Sequence, residues 1–171
     1  NVHNIGLSNR SGTAELLIPV DQNGVEHDSS ASLENHDFTN ARSESISLHT
    51  LDSYVFQNIN FIKIDVEGHE FGVLNGSQET INSSKPAMLI EIEQRHNSES
   101  IFKIFNFIKA LGYNIYFLDD GRLLDLSHFD ISIHQEEIKQ LSGKKYINNF
   151  LCLHADRLKN SEYRNLLNSL A

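Results

Sequence analysis

Two acid-rich segments carry the side chains with the most chemical potential in this sequence. Residues 65–70 read Asp-Val-Glu-Gly-His-Glu, and residues 91–96 read Glu-Ile-Glu-Gln-Arg-His. Carboxylates and imidazoles can position a hydroxyl group and accept its proton, and carboxylate oxygens can bind a hard cation such as Mg²⁺. The elements that precede the two segments decide whether these groups can act together.

The first acidic segment follows a short apolar run at residues 61–64, and the second begins at the end of another such run, residues 87–92. Near-continuous apolar runs are typical of strands covered on both faces, as in parallel sheets, and ligands of such sheets collect beyond the carboxyl ends of the strands. Neighbouring strands lie about 5 Å apart. If these two are neighbours, one crevice receives the carboxylates of Asp65, Glu67, Glu91 and Glu93.

A purely structural interpretation of the same residues remains open. Acids at a helix start accept hydrogen bonds from free backbone N–H groups and complement the helix dipole, so Asp65, Glu67 and Glu70 can serve as caps. Gly68 then allows a sharp turn. His69 and His96 can each be solvated loop residues, an interpretation that is favoured for His69, while His96 is also a candidate metal ligand within the acid cluster.

Lys63 lies within an otherwise apolar strand and therefore requires a partner. Side chains alternate along a strand, so Lys63 shares a face with Asp65, and Glu91 is the other candidate. Such a pair is more often structural than catalytic. We predict an ion pair between Lys63 and one of these two carboxylates.

The remaining pattern predicts an α/β fold. Strands are expected at residues 14–18, 45–49 and 149–153, and a hairpin turn is expected at residues 119–121. Helices are expected at residues 70–81, at residues 101–111 with Asn97 or Ser98 as the cap, and in the tail. The tail helix should dock on the sheet. The polar residues 21–44 are predicted to be a long loop, either a lid or binding loop or an unstructured surface insertion. The order of elements predicts an open, mostly parallel sheet with helices on its faces and an antiparallel pair near the end.

Composition narrows the classes of partner. The 171 residues include 14 basic and 23 acidic ones, for a net charge of -9. This charge repels phosphate backbones and anionic lipid, so we expect no nucleic-acid or membrane partner. One cysteine, Cys152, allows no internal disulfide, which fits the cytoplasm. No pair of glycines has the spacing of a dinucleotide-binding loop.

The motifs of the chain closely resemble the FkbM family of methyltransferases. The similar residues are Gly6-Leu7-Ser8, Gly12, Leu51-Asp52, residues 61–70 with their I-K-I-D-V-E-G-x-E pattern, residues 73–76, Lys85-Pro86, residues 89–91, residues 111–113 and residues 149–151. The resemblance covers most of the chain. It implies a Rossmann-like domain that uses S-adenosylmethionine and typically methylates hydroxyls of sugars, polyketides or related small molecules.

The resemblance also assigns roles. It makes residues 1–171 the C-terminal portion of the domain, with the cofactor-binding first strands missing and the strand before Asp65 as the fourth. It places Asp65 and Glu67 beside the methyl group and the incoming hydroxyl, and adds Gly6, Leu7 and Ser8 as cofactor-binding residues. With these roles, the candidate catalytic residues are Asp65, Glu67, Glu91, His96 and Lys63, with Glu91 or His96 removing the proton of the acceptor.

Two other functions stay open at this stage. One is a non-catalytic assembly module that self-associates through the sheet edge exposed by the missing strands. The other is a metal-dependent hydrolase built on Asp65, Glu91, Glu93 and His96, since a divalent metal is compatible with that cluster.

Overall fold

The computed structural model describes residues 1–34, 38–135 and 146–170. The chain divides into two compact units. The first comprises Asn1–Asn58 and Asp65–Ser84, and the second comprises Ile59–Ile64 and Lys85–Ala171. In the described part of the chain, no helix has the length and apolarity that a membrane span requires.

The first unit contains a three-stranded sheet of β1 (Gly6–Leu7), β2 (Gly12–Pro19) and β3 (Ala41–His49), in the order β1-β3-β2. β1 runs parallel to β3, and β2 runs antiparallel to it. The strands predicted at 14–18 and 45–49 are confirmed. The loop predicted for 21–44 is wrong at residues 41–44, which pair with residues 16–19 of β2.

The error at residues 41–44 has a physical reason. Arg42 lies 2.8 Å from Glu26 and 2.9 Å from Glu44, so polar side chains pair on an exposed face. A strand whose side chains are solvated keeps its backbone ladder without the apolar alternation that marks strands in a sequence.

The helical stretch predicted as residues 70–81 is two helices, α1 (Glu70–Asn75) and α2 (Gln78–Ser84). The break falls at Gly76, where an added Cβ would lie 2.0 Å from the carbonyl oxygen of Ser8. The Asp52 carboxylate caps the N-terminus of α2 by accepting hydrogen bonds from the backbone N–H groups of Glu79 and Thr80, at 3.1 and 2.8 Å.

The second unit contains a five-stranded sheet of β4 (Phe61–Ile64), β5 (Ala87–Glu91), β6 (Tyr113–Asp119), β7 (Arg122–Asp125) and β8 (Asn149–His154). Their order is β4-β5-β8-β6-β7. β4 and β5 are parallel, with Ile64 opposite Ile90, whereas the β5–β8, β8–β6 and β6–β7 pairs are antiparallel. The α/β class is confirmed, but the mostly parallel sheet is wrong, because β8 inserts between β5 and β6 against the direction of both.

The described residues of this unit also form three helices: α3 (Phe102–Ala110), α4 (Ile131–His134) and α5 (Ser161–Leu170). The tail helix α5 is confirmed and lies beside β7. The predicted caps of α3, Asn97 and Ser98, are wrong, because its N-cap is Ile101. The side-chain oxygen of Gln94 instead accepts the Ile101 N–H at 3.2 Å.

Aromatic packing forms the centre of the second unit. The Phe105 and Phe150 rings lie 4.8 Å apart and the Phe129 and Phe150 rings 5.0 Å apart, both edge to face. Each such pair adds about 0.5–1.5 kcal/mol beyond its buried area. This aromatic core fixes β5 and β8, whose ends carry candidate site residues.

The predicted hairpin turn is confirmed, with positive φ at Asp120 (44°) and Gly121 (78°).

Candidate functional site

Lys63 pairs with a candidate carboxylate, as predicted. Its Nζ lies 3.8 Å from Oε2 of Glu91, and it donates a hydrogen bond of 3.3 Å to the side-chain oxygen of Asn149. The Lys63 side chain is 37% exposed, so the pair contributes at most about 1 kcal/mol to stability. Its effect is to direct the Glu91 carboxylate.

Asn148 is a site residue that the sequence reasoning missed. Its side-chain amide donates to Oε1 of Glu91 at 2.7 Å and to Oε1 of Glu93 at 3.1 Å. The Asn149 amide donates to the Asn148 oxygen at 2.9 Å, which fixes the orientation of the Asn148 side chain. The two asparagines lie beside Glu91 because β8 pairs with β5, a contact that no local sequence signal reveals.

Glu93 is a structural carboxylate. It is 4% exposed and receives two hydrogen bonds from the Arg95 guanidinium, at 2.6 and 3.2 Å. Burial raises the pKa of Glu93, but hydrogen bonds from Arg95, Asn148 and Tyr146 outweigh burial and hold this pKa below its ordinary value. Glu93 therefore stays ionised at neutral pH and is a poor proton acceptor.

His96 ends a short 3-10 helix, Gln94–His96, that follows β5. It is half-buried, and its backbone N–H donates to the Glu93 carbonyl at 3.2 Å. Among the described residues, no three His, Cys, Asp or Glu side chains gather as a metal ion would require. The predicted metal cluster therefore gains no support from Glu91, Glu93 and His96, and the role of His96 as a base stays a prediction.

The 65–70 segment forms a tight loop in the first unit. Asp65 is exposed, while Glu67 (φ 48°) and Gly68 (φ 99°) both adopt left-handed backbone. This conformation costs a non-glycine residue about 1–2 kcal/mol, so its surroundings must hold Glu67 in place. The buried Ser32 hydroxyl donates to the Glu67 carbonyl oxygen at 2.6 Å and provides one such contact.

Glu70 is the member of the motif whose carboxylate bonds to the backbone of the loop before α1. It is 2% exposed, and its Oε1 accepts the backbone N–H of Gly68 at 2.8 Å. A buried carboxylate held by the loop's own backbone fixes the turn between β4 and α1. Glu70 thus shapes the loop that presents Asp65 and Glu67.

His69 is not the solvated residue that the sequence predicted. Its side chain is 17% exposed, with Nδ1 2.7 Å from Oε1 of Glu34 and Nε2 2.9 Å from Oγ of Ser8. An ionised carboxylate only accepts hydrogen bonds, so Nδ1 donates to Glu34, and Nε2 shares a hydrogen bond with the Ser8 hydroxyl. Because partners 35 and 61 residues away supply these bonds, no local pattern marked His69 as fixed.

The segment Gly6-Leu7-Ser8, predicted to bind the cofactor, is packed into the sheet of the first unit. A Cβ at Gly6 would lie 2.8 Å from the Leu48 side chain and 2.9 Å from that of Ile46. Ser8 is 3% exposed, and its N–H donates to the His49 carbonyl at 2.9 Å. This packing is sufficient to explain why small residues lie at positions 6 and 8, with no need to invoke a ligand. The role of Gly6, Leu7 and Ser8 in cofactor binding stays a prediction.

The predicted site residues thus fall into two groups. Asp65 and Glu67 belong to the first unit, and Lys63, Glu91 and His96 belong to the second. In the second unit β4 and β5 end in register, Ile64 opposite Ile90, and Asp65 directly follows Ile64 in the chain. The single crevice that receives Asp65 and Glu91 stays a prediction.

Comparisons with known proteins identify the family. Residues 1–115 match the model of the methyltransferase FkbM domain. A crystal structure of methyltransferase FkbM from Methylobacillus flagellatus KT is similar at 21% identity and a TM-score of 0.45, over 68% of this chain. The chain spans only 24% of that protein. The search of curated proteins found no match. The family model covers more than half of the chain and includes the whole 61–70 motif, so the chain belongs to the FkbM methyltransferase family.

Proposed function

We propose that this chain is part of an S-adenosylmethionine-dependent methyltransferase that methylates a hydroxyl oxygen of a sugar, polyketide or related small molecule. The observation that carries the proposal is the family match over residues 1–115, which includes the acidic motif after β4. The folded geometry of the motif agrees with a working site, since a strained backbone at Glu67 and a buried Glu70 are costly features.

The donor set suits the cofactor. Bound S-adenosylmethionine would supply a methyl group on a cationic sulfonium, and carboxylates are the side chains that attract such a cation. In the proposal, Asp65 and Glu67 lie beside the methyl group and orient the acceptor hydroxyl for in-line attack. The exposure of Asp65 is compatible with that contact.

The acceptor hydroxyl must also lose a proton. We assign this step to Glu91, with His96 as the alternative base. Lys63 and Asn148 each contact one oxygen of the Glu91 carboxylate, at 3.8 and 2.7 Å. These contacts give the carboxylate the fixed orientation that a general base needs. Glu93 is already committed to Arg95 and is not part of this step.

The proposal extends to surroundings and partners. A small-molecule hydroxyl acceptor is the expected substrate, and the buried free thiol of Cys152 fits a cytoplasmic enzyme. β4 is an edge strand of the described five-stranded sheet. Self-association through that edge remains part of the proposal and is tested by the oligomeric state in solution.

The test uses the full-length protein, S-adenosylmethionine carrying a ¹³C-methyl group, and a panel of sugars and hydroxylated metabolites. Asp65→Asn should lower the rate of methyl transfer at least tenfold, because the amide lacks the charge that orients the reacting groups. Asp28→Asn, an exposed acid in the same unit, is the matched control and should keep the wild-type rate. Unchanged turnover in Asp65→Asn would remove Asp65 from the mechanism, and a wild-type protein that binds no S-adenosylmethionine would refute the proposed function.

A further inference from the structure

A hydrogen-bond network in the first unit holds the strained motif loop from outside. Its members are Ser8, Ser32, Glu34 and His69, which we call the His69 clamp. None of them is a candidate base, and three of them lie far from the motif in sequence.

Ser32 is the first half of the clamp. Its hydroxyl accepts the Glu34 N–H at 3.0 Å and donates to the Glu67 carbonyl oxygen at 2.6 Å. Ser32 is 1% exposed and is fixed by two backbone hydrogen bonds with Leu17 of β2, at 2.9 and 3.0 Å. The carbonyl between the two left-handed residues is therefore tied, through Ser32, to β2.

His69 is the second half. It bonds to Glu34 and to Ser8, and Ser8 is anchored by its N–H to the carbonyl of His49 in β3. The two halves meet at Glu34, whose backbone contacts Ser32 and whose carboxylate contacts His69. A shift of the 32–34 segment would therefore move both ends of the turn at Glu67 and Gly68.

The spacing of Ser8, His69 and Glu34 also matches that of a nucleophile, a base and its orienting acid. A nucleophile must reach a substrate, however, and Ser8 is 3% exposed. Its N–H, which would be needed to stabilise an oxyanion, is bonded to the His49 carbonyl. The arrangement therefore favours a structural tie over covalent catalysis.

We propose that the His69 clamp sets the left-handed backbone at Glu67 and Gly68 and thereby orients the Asp65 and Glu67 carboxylates for methyl transfer, so that Ser32 and His69 are positioning residues. The orienting role rests on the proposed function, whereas the backbone role does not. In this proposal, Ser32 and Glu34 of the polar 21–44 stretch hold the backbone of the 65–70 loop in place.

The test combines amide hydrogen exchange with kinetics on the full-length protein. Ser32→Ala and His69→Leu should raise the exchange rate of the Gly68 amide at least tenfold, because its bond to Glu70 depends on the held turn. The same variants should lower kcat with the best acceptor of the panel at least tenfold. His69→Gln, which keeps a donor and an acceptor, should recover part of the loss.

Ser30→Ala is the matched control, since Ser30 is exposed and lies two residues before Ser32. It should match the wild type in both measurements. The proposal is overturned if Ser32→Ala and His69→Leu leave Gly68 exchange and kcat within twofold of wild type, or if kcat follows the melting temperature rather than exchange at Gly68. A wild-type protein without methyl transfer would refute the proposed function alone, because Gly68 exchange still decides whether the clamp sets the backbone.

Discussion

Substitution of Gly72 tests the position of the His69 ring, because the absence of a side chain at residue 72 of α1 leaves space for that ring. A Cβ at residue 72 would lie 2.5 Å from Nε2, 2.7 Å from Cε1 and 3.0 Å from Cδ2 of His69. Glycine to alanine in a helix normally stabilises a protein by about 0.5–1 kcal/mol. Here we expect the opposite sign, because the ring must move.

The size of the effect follows from the bonds that the ring would lose. A neutral hydrogen bond contributes about 0.5–1.5 kcal/mol and one to a charged group about 1.5–3 kcal/mol. Loss or weakening of the bonds from His69 to Ser8 and Glu34, less the gain in helix propensity, gives a net destabilisation of about 1–3 kcal/mol for Gly72→Ala. In a His69→Ala background the ring is gone, so the same change should stabilise by about 0.5–1 kcal/mol.

The assay is a double-mutant cycle on urea unfolding followed by circular dichroism. The four proteins are wild type, Gly72→Ala, His69→Ala and the double variant, and the predicted coupling free energy is about 1.5–4 kcal/mol. Asn106→Ala, at an exposed position of α3, should be additive with His69→Ala. A stabilising Gly72→Ala in the wild-type background, equal to its effect without His69, would refute the placement of the ring.

Three further predictions concern the second unit. Gln135→Ala should destabilise by about 2–3 kcal/mol in urea unfolding, because the buried amide donates to the Ile92 and Ile147 carbonyls at 2.7 and 2.9 Å; a loss below 0.5 kcal/mol would contradict this. Tyr113→Phe should leave the melting temperature unchanged or raise it, because the buried hydroxyl has no hydrogen-bond partner among the residues that the structure describes; a fall of several degrees would contradict this. Because the pKa of Glu93 is lower in the folded than in the unfolded protein, its ionised carboxylate stabilises the fold above the ordinary glutamate pKa, and this stabilisation is lost as pH falls through the pKa of the folded protein. In Glu93→Gln the free energy of unfolding should therefore depend less on pH below about 4.5. An unchanged pH dependence would count against the Glu93–Arg95 pair.

Short-range chemistry made much of the fold predictable. The apolar runs of β4 and β5, the periodic residues of α3 and the turn at Asp120 and Gly121 each carry their signal within a few residues. The Lys63–Glu91 pair was also predictable, since a charged residue in an apolar strand needs a partner and few are in reach.

The rest depends on partners distant in sequence. The sheet is mixed because β8 inserts between β5 and β6, and pairing direction leaves no mark in a strand's own residues. The same insertion brings Asn148 to Glu91, and the long 21–44 stretch brings Ser32 to Glu67. His69 was misjudged for the same reason, since only the folded chain supplies Ser8 and Glu34 as its partners.

The central claim is that the Asp65 and Glu67 carboxylates, which follow β4, belong to a methyl-transfer site. The most direct measurement is a crystal structure of the full-length protein bound to S-adenosylhomocysteine, the product of the proposed reaction. We predict that the sulfur lies beside the Asp65 and Glu67 carboxylates, and that Lys63 and Asn148 still hold the Glu91 carboxylate. A sulfur bound away from Asp65 and Glu67 would contradict the account.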